Sequence, residues 1–146
     1  MEREEMDILF KVVIIGDSAV GKTQILNRAL FDKFDINSKP TLGVDFKHKD
    51  IDINNRRVRI NLWDTAGQER FKAINQTFFC NAQGAIIVFD ITRRSTFETL
   101  DVWLKSFREY NAEESPFIII GNLFFLIHDI IPKSYMIIQI RGLGFI

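Results

Sequence analysis

Several things are scarce in this chain. It has one cysteine, Cys80, so no disulfide can form within it, and a reducing, cytosolic setting is expected. Neither charge is in excess: Lys and Arg number 19, and Asp and Glu number 19. Without surplus cations there is no bulk field to draw in nucleic acid or an acidic membrane. No apolar run approaches the ~20 residues that a membrane-crossing helix needs; the longest near the end covers residues 123–127. The start, Met1 to Asp7, is polar and acidic, so no secretory leader is expected.

What remains suits one packed domain. The chain has 146 residues, 47% of them apolar, enough for a single core. Residues 8–15 are apolar except for Lys11, and a run of that length ending at glycine reads as a strand buried on both faces. Ile25, Leu26, Ala29 and Leu30 then recur at helical spacing. Residues 32–40 are polar and helix-breaking. Residues 44–53 and 58–64 form a predicted hairpin, because Asn54 and Asn55 tolerate the positive φ that its turn demands. Val58, Ile60 and Leu62 alternate with Arg59 and Asn61, the period of a half-buried strand.

Residues 65–72 read as a loop followed by a short helix, and 85–89 as a buried strand. Ser95 and Glu98 have the spacing of a capping box, after which Phe97, Leu100, Leu104 and Phe107 mark one helical face. Residues 117–120 are the next strand. Alternating strands and helices predict an α/β fold with a mostly parallel central sheet, flanked by helices, with ligand at the carboxyl ends of the strands.

Between the first strand and first helix stand Gly16, Asp17, Ser18, Ala19, Val20, Gly21, Lys22 and Thr23. This is the full phosphate-loop pattern in the context that gives it meaning. The glycines let the backbone wrap so that amide N–H groups face phosphate oxygens, and the helix dipole adds positive potential. Lys22 is suited to bridging the outer phosphates and the Thr23 hydroxyl to holding Mg²⁺. A second motif runs Trp63-Asp-Thr-Ala-Gly-Gln-Glu-Arg-Phe71. There Asp64 can serve the Mg²⁺ shell, Gly67 can offer an amide to a γ-phosphate, and Gln68 can orient an attacking water.

With Lys39-Pro-Thr-Leu-Gly-Val-Asp-Phe46 and Val88-Phe-Asp-Ile-Thr92, these motifs resemble the Rab branch of small GTPases, from about Phe10 to Asn122. The resemblance implies a phosphate-loop NTPase fold of the small G-protein type, GTP and GDP as ligands, Mg²⁺ as cofactor and hydrolysis of GTP. It implies a switch in vesicle trafficking, met by effectors, an exchange factor and an activating protein. In such proteins an arginine supplied by the activating partner is worth on the order of 10³–10⁵ in rate. By the same resemblance Thr41 is the switch threonine that joins Thr23 and Asp64 at Mg²⁺, and Phe34 packs against the base. Phe46, Trp63 and Phe78 fall on the aromatic effector surface. Read from the residues alone, those three are more often core or half-buried sheet positions. Phe78-Phe-Cys80 stands where the family usually has Tyr-Tyr-Arg.

The resemblance is expected to stop after Asn122. The family continues with a lysine and an aspartate that hold the guanine; here Leu123, Phe124 and Phe125 follow. Asp129 lies four residues beyond that aspartate's place. A site without hydrogen bonds to a base loses discrimination of roughly 10⁴–10⁵. The predicted layout is therefore a polar extension at 1–7, an incomplete GTPase domain at 8–122 and a divergent apolar tail at 123–146. The tail composition reads like translated non-coding sequence of an A/T-rich genome. Its segments 124–131 and 135–140 look like short strands, one of which could pair with the 117–120 strand. Without a covering last helix, strands 8–15 and 85–89 are expected to show apolar side chains to water. With Gly142 to Ile146 at the end and no cysteine among them, a lipid anchor of the family's kind is not expected on this sequence. Beside the enzyme reading stands another: a shortened product that binds nucleotide weakly and presents its aromatic surface to Rab partners.

Overall fold

A computed structural model describes residues 8–35, 39–65, 77–122 and 136–141, the last as backbone alone. The elements run β1 (Ile8–Ile15), α1 (Lys22–Phe31), β2 (Val44–Ile53), β3 (Arg56–Thr65), β4 (Gly84–Asp90), α2 (Arg94–Glu98), α3 (Leu100–Arg108), β5 (Phe117–Asn122) and β6 (Met136–Arg141). They form a six-stranded sheet in the order β2-β3-β1-β4-β5-β6. The pairs β3–β1, β1–β4 and β4–β5 are parallel; β2 and β6 add antiparallel edges. The hairpin turn is the one expected: Asn54 and Asn55 have φ of 51° and 62°, and Ile53 pairs with Arg56.

Parallel strands buried on both faces separate two apolar layers. On one, Val13, Ile15, Ala85, Ile87 and Phe117 meet Leu100 and Phe107 of α3 and Phe78, Phe79 and Ala82. On the other, Ile14, Leu62, Val88 and Ile120 meet Val20 and Leu26 of the loop and α1. Phe107 is fully buried, its ring edge-on to Phe79 at 6.5 Å. Phe107→Ala should cost about 3–5 kcal/mol, read as a lower urea midpoint.

Five expectations change. Leu9 and Phe10 are exposed, so β1 is buried on both faces only in its second half. The apolar strands are otherwise less open than expected: Ala85, Ile87 and Val88 of β4 are buried. Ala29 faces solvent; Leu26 is buried with Ile25 and Leu30 packed beside its layer, and Lys22 and Gln24 are buried as well. The capping box does not form: Arg93 holds the N-cap position of α2, and Glu98 accepts from Arg94 Nε at 2.8 Å. Thr96 ties this helix down instead, its hydroxyl meeting the Asp90 amide at 2.9 Å and the Arg93 carbonyl at 2.7 Å. The helical face is also broken at Thr99. Leu100 and Phe107 face the core, whereas Phe97 is exposed with its ring 5.3 Å from Phe89. Of the two tail strands, 136–141 pairs antiparallel with β5; segment 124–131 lies outside the described residues, as does most of the helix expected after residue 72, of which 77–79 are helical.

Candidate functional site

The carboxyl ends of β1, β3, β4 and β5 converge on residues 16–23. Gly16 has φ 141°, and a Cβ there would lie 2.2 Å from the Val88 carbonyl oxygen, so β4 forces glycine at the exit of β1. Gly21 has φ 96° and abuts the Asn122 amide, where a Cβ would meet Nδ2 at 2.2 Å. That amide donates to the Val20 carbonyl at 2.8 Å, so Asn122 braces the loop from the end of β5. The first turn of α1 holds no acidic residue, leaving its free N–H groups and dipole unopposed.

Lys22 is 6% exposed and folds back under the loop, donating to the Gly16 carbonyl at 2.8 Å and the Asp17 carbonyl at 2.7 Å. Burial pulls its ammonium down to about 8, against the pull of Asp64 and Asp17, which favour the charge. An ammonium under such strain gains most when a phosphate arrives.

The three expected metal ligands come together. Thr23 Oγ1 donates to Asp64 Oδ2 at 2.5 Å and lies 2.7 Å from Thr41 Oγ1. Asp64 is held at the end of β3 by its neighbour Thr65, whose hydroxyl donates to the Ile14 carbonyl at 2.9 Å. Burial pushes the Asp64 carboxyl above the usual range; the Thr23 hydroxyl, Lys47 and Lys22 pull it back in part. Its Oδ1 is buried and has no hydrogen-bond partner among the described residues. Three oxygen donors and an orphaned carboxylate oxygen fit a hard divalent cation such as Mg²⁺.

Phe34 is 44% exposed beyond the end of α1. Its segment is pinned by Gln24, whose amide donates to the Asp35 carbonyl at 3.0 Å and accepts from the Asp35 N–H at 3.2 Å. Gln24→Ala should cost about 1–2 kcal/mol in urea unfolding and loosen the Phe34 segment. Gly67, Gln68, Leu123, Phe124, Phe125 and Asp129 lie outside the described residues.

The aromatic residues form a row rather than a flat patch. Phe46 pairs across the strands with Trp63, their rings 5.5 Å apart, and Trp63 lies 5.8 Å from Phe78. Phe46 is 50% exposed, while Phe78 is buried in the core, so only the outer part of the row faces solvent. Lys11 explains the one charge in β1. Its ammonium lies 4.7 Å from the centroid of the Trp63 ring and donates to the Cys80 carbonyl at 2.8 Å.

Sequence reasoning missed the contacts that secure the loop from α2 and α3. Asp90 accepts from the Thr92 hydroxyl at 2.6 Å, the Thr92 amide at 2.9 Å and Arg93 Nε at 3.0 Å. Burial alone would raise its carboxyl, but Thr92 and the Arg93 guanidinium outweigh it and hold Asp90 below the usual range. Arg93 also donates to the Ser18 carbonyl at 3.1 Å. Nothing in local spacing marks Arg93 or Gln24, because the partners of each come from another segment.

The Ras family model matches residues 11–131. The chain belongs to the Ras family. The match runs past Asn122, where the motif-based resemblance had been expected to end. Relatives include the Ras-related protein RABA6b of Arabidopsis thaliana, 45% identical over 119 residues that cover 82% of this chain and 52% of the relative. The GTP-binding protein ypt3 of Schizosaccharomyces pombe is 42% identical over 127 residues, covering 87% of this chain and 59% of the relative. Ras-related protein Rab11E of Lotus japonicus is 44% identical over 119 residues, 82% and 55% of the two chains. These relatives bear out the Rab resemblance of the motifs and the phosphate-loop fold. The chain spans about half the length of the curated relatives it matches.

Proposed function

We propose that this chain binds GTP and GDP at residues 16–23 with Mg²⁺, hydrolyses GTP, and serves as a Rab-type switch in vesicle traffic. The observation that carries this reading is the convergence of Thr23, Thr41 and Asp64 beside a buried lysine that curls beneath the glycine-bounded loop. Bound there, Mg²⁺ would neutralise charge on the outer phosphates. Lys22 supplies a fixed cation to the same oxygens, and the backbone of the loop supplies N–H donors. Thr41 reaches the site from the loop before β2, so its hydroxyl makes that loop responsive to what is bound. Gln68 is assigned to orient the attacking water and Gly67 to meet the γ-phosphate with its amide. Phe34 packs on the base, and Asn122 fixes the loop beneath it.

Partners follow from the same assignment: effectors meeting Phe46 and Trp63, an exchange factor, and an activating protein that supplies an arginine. The protein acts in the cytosol and at membrane surfaces; among the described residues no helix is long and apolar enough to cross a membrane. Binding of fluorescent GDP with Mg²⁺, challenged with ATP, is the test. Tight binding that ATP does not displace is expected. Equal displacement by ATP would restrict the function to phosphate binding. Gln68→Leu should slow hydrolysis while leaving GTP bound.

A further inference from the structure

Asp17 sits inside the phosphate loop, one residue past Gly16, yet its side chain does not serve the loop. Its Oδ1 accepts from the Trp103 indole N–H at 2.8 Å, and its Oδ2 accepts from the Thr99 hydroxyl at 2.9 Å. Both donors come from the start of α3. The Thr99 hydroxyl also lies 3.1 Å from the Thr96 carbonyl, but its single proton goes to the charged acceptor by preference. Meanwhile the main-chain carbonyl of Asp17 holds Lys22 Nζ at 2.7 Å. One residue therefore faces two ways, backbone to the lysine and carboxylate to α3.

The arrangement resolves a chemical conflict. A carboxylate free to swing beside Lys22 would neutralise its ammonium and repel incoming phosphate. With both oxygens engaged by neutral donors from α3, the Asp17 carboxylate is held out of direct contact with the ammonium and acts on it only through its field. The interruption between α2 and α3 falls at Thr99, which occupies the N-cap position of α3 without a side-chain capping bond and turns its hydroxyl to Asp17. The adjacent loop residue, Ser18, is held from the same segment by Arg93.

Resting on the nucleotide reading above, we propose that Asp17 is a positioning residue. Thr99 and Trp103 hold its carboxylate away from the phosphates, and through its backbone this sets the loop's grip on nucleotide. Asp17→Ala is expected to release fluorescent GDP about tenfold faster. Asp17→Asn, whose amide oxygen still accepts one bond, should restore part of that loss. Trp103→Phe keeps an aromatic ring, though a smaller one, but not the N–H, and should also speed release.

The second readout is the Trp103 indole N–H resonance, identified by its disappearance in Trp103→Phe. It should move upfield in Asp17→Ala before GDP is added, and GDP should shift it only when Asp17 is present. Lower thermal stability in Asp17→Ala with unchanged GDP release would overturn the proposal and leave a purely structural contact. If Asp17→Ala does not fold, Thr99→Val and Trp103→Phe carry the test, and release at the parent's rate in both overturns it. If the parent chain binds no GDP, the nucleotide reading falls by itself. The tie is then decided by the indole resonance, and an unshifted peak in Asp17→Ala removes it.

Discussion

Lys22→Met should weaken nucleotide binding by on the order of 10²–10³ while making the nucleotide-free protein more stable near neutral pH. The two effects share one cause. Burial lowers the Lys22 ammonium from 10.5 to about 8, so keeping it charged in the loop opposes folding. Relieving that burden is worth ~1–3 kcal/mol, after allowing for the Gly16 and Asp17 carbonyls that lose their donor. Bound phosphate would reverse the balance by giving the ammonium a partner.

The pH dependence follows with a definite sign. Between about 8 and 10.5 the unfolded chain holds a proton on this lysine that the folded, nucleotide-free chain has lost. Stability therefore rises with pH across that window, contrary to the usual fate of a lysine in an ion pair. Nucleotide affinity moves the other way, falling about tenfold per pH unit above 8, because phosphate binding requires the charged form. Lys22→Met should flatten both profiles. Urea unfolding from pH 7 to 10 and GDP titrations over the same range give the two curves; parallel slopes in parent and variant would disprove the assignment.

Much of the chemistry could be read in advance because it lies in short contiguous motifs with stereochemical demands. Gly16 and Gly21 are glycines for reasons that any phosphate loop would share, and Asn54-Asn55 announces its turn by backbone tolerance alone. Thr23 and Asp64 were expected at one metal from their motifs, whereas Thr41 joined them only through family resemblance, since a third segment delivers it. What stayed hidden depends on contacts distant in sequence. Asp17 and Trp103 are 86 positions apart, and no local pattern pairs a loop carboxylate with an indole. The capping box failed for a related reason: Thr96, between the two residues of the motif, is drawn to Asp90 by burial. Phe78, which the resemblance places on the effector surface, is buried in the core, as the reading of the residues alone favoured.

Two substitutions three residues apart in the loop should act in opposite directions. Gly16→Ala should destabilise the protein by more than ~3 kcal/mol and leave little folded material at 37 °C. The new Cβ would meet the Val88 carbonyl oxygen at 2.2 Å and its carbon at 3.1 Å, which are backbone atoms of a central strand and cannot give way. Its φ of 141° adds strain for any side chain. Ala19→Gly should instead stabilise by ~0.5–1 kcal/mol. Ala19 has φ 59°, a left-handed conformation that costs an L-residue roughly 1–2 kcal/mol. Glycine removes that strain but gives back ~0.4–1 kcal/mol through greater freedom in the unfolded chain. Thermal melts of the two variants beside the parent decide the matter. A parent-like melt for Gly16→Ala would mean that β1 and β4 diverge enough to admit a methyl group. The loop would then lack the rigidity that holds its N–H groups on phosphate.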